Sequence, residues 1–586
     1  MGNQFVDYLN SMNNATSGNE NALAEAQVTN EYYSKIVVER EIGNRIYDKL
    51  FSGKPKSVIL TGHAGDGKTS LLVQILNKIG YFSQGKKVLK EVEVFEGARK
   101  LFYVKDMSEL NEKNQEKYLT EFLNLPLKGI PSILISNTGP LINTFKRLIE
   151  KSACEDLESK KELFEGKFLD AIDSVEGNLG NIDYLGVSSS IDIINIANID
   201  NTYFVAELIE KICNEELWCK CTECEELVKE KCPIYNNINI IKRQKSRVKD
   251  ITERIYFWLN ESESRLTIRQ MLSHLSYSIT GNLTCDEIRK NICRKENPLF
   301  TYAFPNLFFG YEGTELKNES LNIKAIRELS KLKLDSKSLL VPDNNMFVKE
   351  DFLDFYDDIG FILRKQLDDN YFDLGLGNKE SQKLRRSFRR FYILLCRNEE
   401  STDELLKNIF SDVYPLYYQL VTSKVMDWNQ KRILSDIVFE GLYKIFVGVF
   451  PQRNDKTIYL TLKKNLQDMQ NVQMILGYFL KDEIKPCIKS NNAIEKSLKI
   501  STPYIQIRNV KYDLTHEFLN YLYCVKNGKV YTSYNPNFTF GISKLQSDLI
   551  KECRISEEDI QLLVVKKDKV EKVEMNLSNG QLSISK

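Results

Sequence analysis

Histidine is scarce: His63, His274 and His516 are the only three in 586 residues, and they lie far apart. A histidine-ligated zinc hydrolase or a Ser-His or Cys-His nucleophile needs histidine beside its partners, so those chemistries start poorly supplied. Net charge is also lacking. Lys plus Arg and Asp plus Glu both total 81, which excludes a chain-wide field for nucleic acid or a membrane and leaves only local patches. Among the longest apolar runs is GLYKIFVGVF at 441–450, well short of the ~20 residues that cross a bilayer. No charged n-region with an apolar h-region opens the sequence. The twelve cysteines are irregularly spaced in a long chain, so a reducing, cytoplasmic setting is expected rather than a secreted disulfide framework.

A chain this long exceeds one hydrophobic core, and three or four domains are expected. Residues 1–30 are polar and aperiodic and read as a flexible lead-in. In EREIGNRIYDKLFSGKP, Ile42, Ile46 and Leu50 fall at helical spacing before a Gly-Lys-Pro stop. Strand candidates then alternate with helices: SVILT, KLFYVKD (100–106), SILISN (132–137) and IDIINIANID (191–200). That alternation predicts a parallel α/β domain over 31–205. Residues 206–330 read as a helical lid region with a cysteine cluster, and 331–480 as a charged helical domain. In 481–586, short alternating runs with Asn-Gly turns predict a small α+β domain.

The chemistry centres on TGHAGDGKTS. Gly62, His63, Ala64, Gly65, Asp66, Gly67, Lys68 and Thr69 match G-x-x-x-x-G-K-[ST], with Ser70 following, a strand before and a helix after. Glycines let the backbone wrap a phosphate at the positive end of a helix, Lys68 reaches the β- and γ-phosphates, and the Thr69 hydroxyl suits Mg²⁺. ATP is the expected nucleotide, because the guanine-reading Asn-Lys-x-Asp signature is absent. Hydrolysis also needs a carboxylate at a neighbouring strand end. Asp106 is the candidate on the magnesium side, against a structural strand end, with Glu109 as a second acid to activate water. Asn137, closing SILISN, is placed to sense the γ-phosphate, with Asn198 and Asp200 as rivals.

Three further features carry chemistry. Cys219, Cys221, Cys224 and Cys232 are four thiols within WCKCTECEELVKEKC, enough for a structural Zn²⁺ site, an iron–sulfur cluster, or simply free thiols. IKRQKSRVKD and KLRRSFRRF are basic segments that either grip DNA phosphates or form solvated helix faces. Arg269, early in a helix beyond the sheet region, is placed either to touch the γ-phosphate from a lid or to form a structural ion pair.

Several stretches taken together carry a likeness: GHAGDGKTSLL, the strand ending in KDMSE, the Asn-ended ILISNTGPL, the cysteine segment running into CPIYNN, and RLTIRQMLSHLSYSITGN followed by PNLFFG. Over roughly residues 35–310 the order of these parts resembles the DptF/DndF family, ATP-binding subunits of phosphorothioation-dependent DNA restriction systems. More broadly it is similar to AAA+ and STAND nucleotide-binding proteins. The resemblance implies a P-loop NTPase fold and an ATPase in a bacterial antiviral or restriction complex. It also implies partner proteins, a nuclease or helicase, with double-stranded DNA or a second copy of the chain as further partners and no membrane. The alternative is a nucleotide-gated sensor that oligomerises on recognising a ligand. A metabolic kinase is disfavoured by the large helical region without a visible acceptor site.

Overall fold

The computed structural model describes residues 2–13, 30–82, 89–152, 157–180, 182, 190–368, 378–397, 402–462, 471–491, 494–529, 536–554, 560–566, 569–578 and 581–585. It divides into two compact units, Met1–Glu399 with Ala493–Ser497, and Glu400–Asn492 with Leu498–Lys586.

The first unit is built on a six-stranded mixed sheet: β1 (Ser57–Thr61), β2 (Val92–Glu96), β3 (Lys100–Val104), β4 (Ser132–Ile135), β5 (Glu176–Asn178) and β6 (Ile191–Asn195). Their order is β2-β3-β4-β1-β6-β5. The inner four run parallel, whereas the edge strands β2 and β5 are antiparallel to their neighbours. The sheet is therefore α/β as expected but not wholly parallel: VEVFE adds an antiparallel edge strand, and KLFYV is the next parallel one.

Side-chain alternation explains the layering, since successive residues of a strand face opposite sides. Val58, Leu60, Tyr103, Ile133, Ile135 and Ile194 pack with the helices Glu41–Phe51 and Lys68–Lys78. Ile59, Phe102, Val104, Leu134 and Ile193 pack on the other face with Phe122, Phe145 and Phe168 of three later helices. Both faces are covered, as the near-continuous apolar strands demand.

The rest of this unit is mostly helical. Residues 4–13, expected within a flexible lead-in, form a helix with Phe5, Val6, Leu9 and Met12 buried, packed on the helix Ile268–Thr280. Its apolar residues recur at helical spacing, a signal that the polar 14–29 dilute; those residues lie outside the described ones.

The second unit packs the helices Trp428–Val447 and His516–Lys526 together with antiparallel strands. Strands begin at Thr457–Leu462, so the α+β pattern starts before residue 481. One five-stranded and one three-stranded sheet result. Among the described residues no helix is long and apolar enough to cross a membrane.

Candidate functional site

The strand register brings the site together. Leu60 lies beside Ile135, and Val104 beside Leu134, so β3, β4 and β1 end level on one rim. The glycine-rich turn follows β1 there and leads into the Lys68–Lys78 helix. Gly62, Gly65 and Gly67 have φ of 152°, 87° and 92°, a region that side-chain-bearing residues rarely adopt. A Cβ on Gly62 would meet Ile196 at 2.6 Å, so the first glycine is also required for space.

The loop is braced from within. Asp66, fully buried, accepts from the His63 N–H at 2.9 Å and pairs with Arg265 at 2.7 Å. Arg265 also donates to the Ile196 and Ile199 carbonyls, tying the loop to the end of β6. Arg40 donates to the Asp66 carbonyl at 3.0 Å and pairs with Glu495 at 2.7 Å, both side chains buried. Motif reading missed Arg40, Arg265 and Glu495, because their partners are distant in sequence and no spacing announces them.

Around the loop opens a cavity of about 210 Å³. Gly65, Gly67, Lys68, Thr69 and Ser70 line it together with Asp106, Glu109, Asn137 and Arg269. Its apolar lining comes from Met12, Ile36, Val37, Val38, Leu208 and Leu272. Lys105 also lines the cavity and was not anticipated. Lys68 donates to the carbonyls of Gly62 (2.7 Å) and His63 (3.0 Å) and to Asn137 Oδ1 (3.1 Å). Burial lowers the Lys68 pKa from its ordinary value, opposed by the charges of Asp106 and Asp66 and reinforced by Arg269.

Asp106 ends β3 as expected and opens a short turn, accepting the Ser108 N–H at 2.9 Å. Ser108 Oγ in turn accepts the Asn137 N–H at 2.9 Å, which stitches the acid-bearing turn to the tip of β4. Asp106, Glu109 and Asn137 therefore share one rim. The rivals do not. Asn198 bonds the Ile172 and Asp173 carbonyls, and Asp200 bonds Thr202, away from the cavity-lining set.

Arg269 lies just after Thr267, which caps its helix and packs on Gly65. It makes no ion pair with a described residue, and burial pushes its guanidinium below the ordinary value. The structural-ion-pair alternative for Arg269 is not what the structure shows.

Arg386, Arg389 and Arg390 of the second basic segment are used internally. Arg389 pairs with Asp343 through two bonds, Arg386 and Arg390 converge on Asp335, and Arg390 is sealed in the core. In the other segment Arg243 pairs with Asp358, Lys249 with Glu210 and Arg254 with Asp250. Arg243 and Lys249 thus pair at the surface with other elements, and Arg254 pairs within its own helix.

Among the described residues no group of three or more His, Cys, Asp or Glu side chains is gathered to hold a metal. In particular the expected set Cys219, Cys221, Cys224 and Cys232 does not assemble. Cys219 is exposed, and its thiol donates to the Glu216 carbonyl. Two of the three histidines are core residues. His274 is bonded to Tyr256 and the Phe308 carbonyl, His516 to Ser411.

No family model matches the chain, and no curated protein or solved structure matches it either.

Proposed function

We propose that this chain binds ATP with Mg²⁺ and hydrolyses it, using a P-loop NTPase domain of the AAA+/STAND kind. One observation carries the reading: Lys68, Asp106, Asn137 and Arg269, scattered over some two hundred residues, line one cavity around a glycine-rich turn. A strand-end acid, a polar strand tip and an arginine paired with no described carboxylate are what phosphoryl transfer needs, since its catalysis is positioning and charge stabilisation.

In this reading the triphosphate lies along the loop amides at the start of the 68–78 helix, where backbone N–H groups and the helix dipole favour anions. Lys68 exchanges its carbonyl partners for phosphate oxygens, and Asn137 stays within its reach to orient the γ-phosphate. Thr69 and Asp106 are hard oxygen donors on the same cavity and fit Mg²⁺. The ion, when bound, neutralises phosphate charge. Glu109 is the acid placed to take a proton from the attacking water, and Arg269 faces the charge that develops on the γ-phosphate. The apolar side chains of the cavity lining take the base.

By its resemblance to the DptF/DndF family, the turnover serves a bacterial DNA-restriction or antiviral complex, with DNA handled by a partner nuclease or helicase. A second reading, the nucleotide-gated sensor, is favoured by one feature. The segment Ala493–Ser497 belongs to the first unit although the chain on either side of it belongs to the second. Its Glu495 holds Arg40 against the phosphate loop.

Lys68→Ala tests the core proposal. ATP turnover measured by phosphate release should fall about 10²–10³-fold or more, with an unchanged circular dichroism spectrum. Normal turnover in that variant refutes the ATPase reading. Stimulation of wild-type turnover by DNA supports the restriction role, and ligand-triggered oligomerisation without DNA supports the sensor.

A further inference from the structure

A second, much smaller cavity lies away from the phosphate loop, about 20 Å³ in volume, and four cysteines line it: Cys221, Cys224, Cys232 and Cys285. Three of them belong to the cluster visible in the sequence. The fourth, Cys285, opens the helix Cys285–Lys290 and takes the place that spacing assigns to Cys219. The remaining walls include Val6, Ile234 and Ile288, with no histidine and no carboxylate. Any ion held there would have sulfur as its only side-chain donor.

The surroundings of the sulfurs point the same way. Each accepts an N–H hydrogen bond: Cys221 from Asn3 Nδ2 at 3.3 Å, Cys224 from Arg289 Nη2 at 3.7 Å, Cys232 from the Tyr235 amide at 3.5 Å, and Cys285 from the Asn3 amide at 3.4 Å. A neutral thiol is a weak acceptor, whereas a metal-bound thiolate is a strong one whose orientation and charge are set by such donors. Arg289 and the neighbouring Lys229 place positive charge where four thiolates around a divalent ion would leave a net negative one.

We propose that Cys221, Cys224, Cys232 and Cys285 close around a single zinc ion as a tetrahedral thiolate site that staples the N-terminal helix to the cysteine segment. The all-sulfur donor set selects zinc over magnesium or calcium. A volume near that of one water-sized probe suits one ion and not a four-iron cube. As the side chains stand, the thiols are not gathered around one point. Cysteine has one side-chain torsion with three staggered wells, so χ1 rotation is the movement available to close them. Binding releases the thiol protons to solvent as the four zinc–sulfur bonds form. The staple joins Gly2 and Asn3, the 221–232 segment and residue 285, and an added Cβ on Gly2 would already lie 2.8 Å from Cys285 Cβ. The helix it fixes carries Met12 into the nucleotide cavity.

The test is metal analysis of the full-length chain purified without chelator. About one zinc per chain is expected, retained in Cys219→Ser and lost in Cys285→Ser. Cobalt added to the zinc-stripped wild-type chain should give the intense sulfur-to-metal charge-transfer bands of four thiolates. That measurement stands even if Cys285→Ser fails to fold. Loss of zinc from Cys219→Ser would overturn the ligand set. Iron with visible absorption, two thiols oxidised to a disulfide, or no bound metal after supplementation with zinc alone would overturn the zinc site.

Discussion

Two arginines of the first unit, Arg390 and Arg269, are both pushed below their ordinary pKa by burial, yet they stand in opposite situations, Arg390 sealed in the core and Arg269 half-buried on a cavity. Arg390, 1% exposed, spends every side-chain nitrogen on the protein. Nε meets Asn306, Nη1 meets Asp335 at 2.7 Å, Nη2 meets the Gly313 carbonyl, and the plane lies 3.8 Å from the centre of the Tyr311 ring. Arg269 has no described carboxylate and lines the cavity that holds Lys68. A buried guanidinium that is fully bonded is part of the scaffold. A half-buried one that pairs with no described carboxylate and shares its cavity with Lys68 is a candidate anion-binding group.

The largest expected effect follows from the closed member of the pair. Arg390→Met keeps the volume but leaves the Gly313 carbonyl without its buried donor, reduces Asn306 Oδ1 to its bond from Ser387, and weakens the neutralisation of Asp335. Breaking a buried pair costs about 3–5 kcal/mol, to be read as a drop in the urea midpoint with the slope unchanged. Arg269→Met should do the reverse: no loss of stability, and ATP turnover lower by about 10²-fold, the scale of one lost electrostatic contact. Equal destabilisation by both changes would show that Arg269 has a structural partner and would break the comparison.

The same contrast explains what was legible beforehand. The glycine-rich turn and the shared rim of Asp106, Glu109 and Asn137 could be read because their signals are local: a turn, a strand end and the residue types at their tips. Strand order confirmed little by itself, but it brought those tips level. The basic run at 385–390 could not be read, since a solvated face and a set of buried ion pairs have the same composition. Only the folding of Asp335 and Asp343 against it decides the matter. Cys285 and Arg40 escaped for a related reason, as each acts with partners far along the chain. The helix at 4–13 was overlooked because its apolar spacing was judged together with the polar residues that follow.

Asp106→Asn sharpens the open side of the comparison. The change removes one negative charge near Lys68 while keeping the side chain's size, and the Asn oxygen can still accept the Ser108 amide. ATP should bind as before, through the loop and Lys68, whereas turnover should fall by about 10²-fold. Nucleotide affinity by fluorescence and turnover by phosphate release separate the two. Normal turnover in Asp106→Asn together with loss in Glu109→Gln would move the essential carboxylate to Glu109.

The smallest effect concerns a buried group closed like Arg390 but uncharged. His274 sits between the Tyr256 hydroxyl (2.6 Å) and the Phe308 carbonyl (2.7 Å). A carbonyl can only accept, so Nε2 carries the proton and Nδ1 accepts from the tyrosine. Burial pushes the His274 pKa down to about 4 from its ordinary 6.5. Between those values the unfolded chain binds a proton that the native state does not, so stability rises with pH over that window and is lost as pH falls from about 6.5 towards 4. The slope from this one group cannot exceed about 1.4 kcal/mol per pH unit, and it vanishes above pH 7. Urea midpoints of wild type and His274→Gln at pH 7 and pH 5 measure it. The variant is expected to be less stable at pH 7 and to lose less on acidification. An identical acid dependence in both proteins would place the sensitive proton elsewhere.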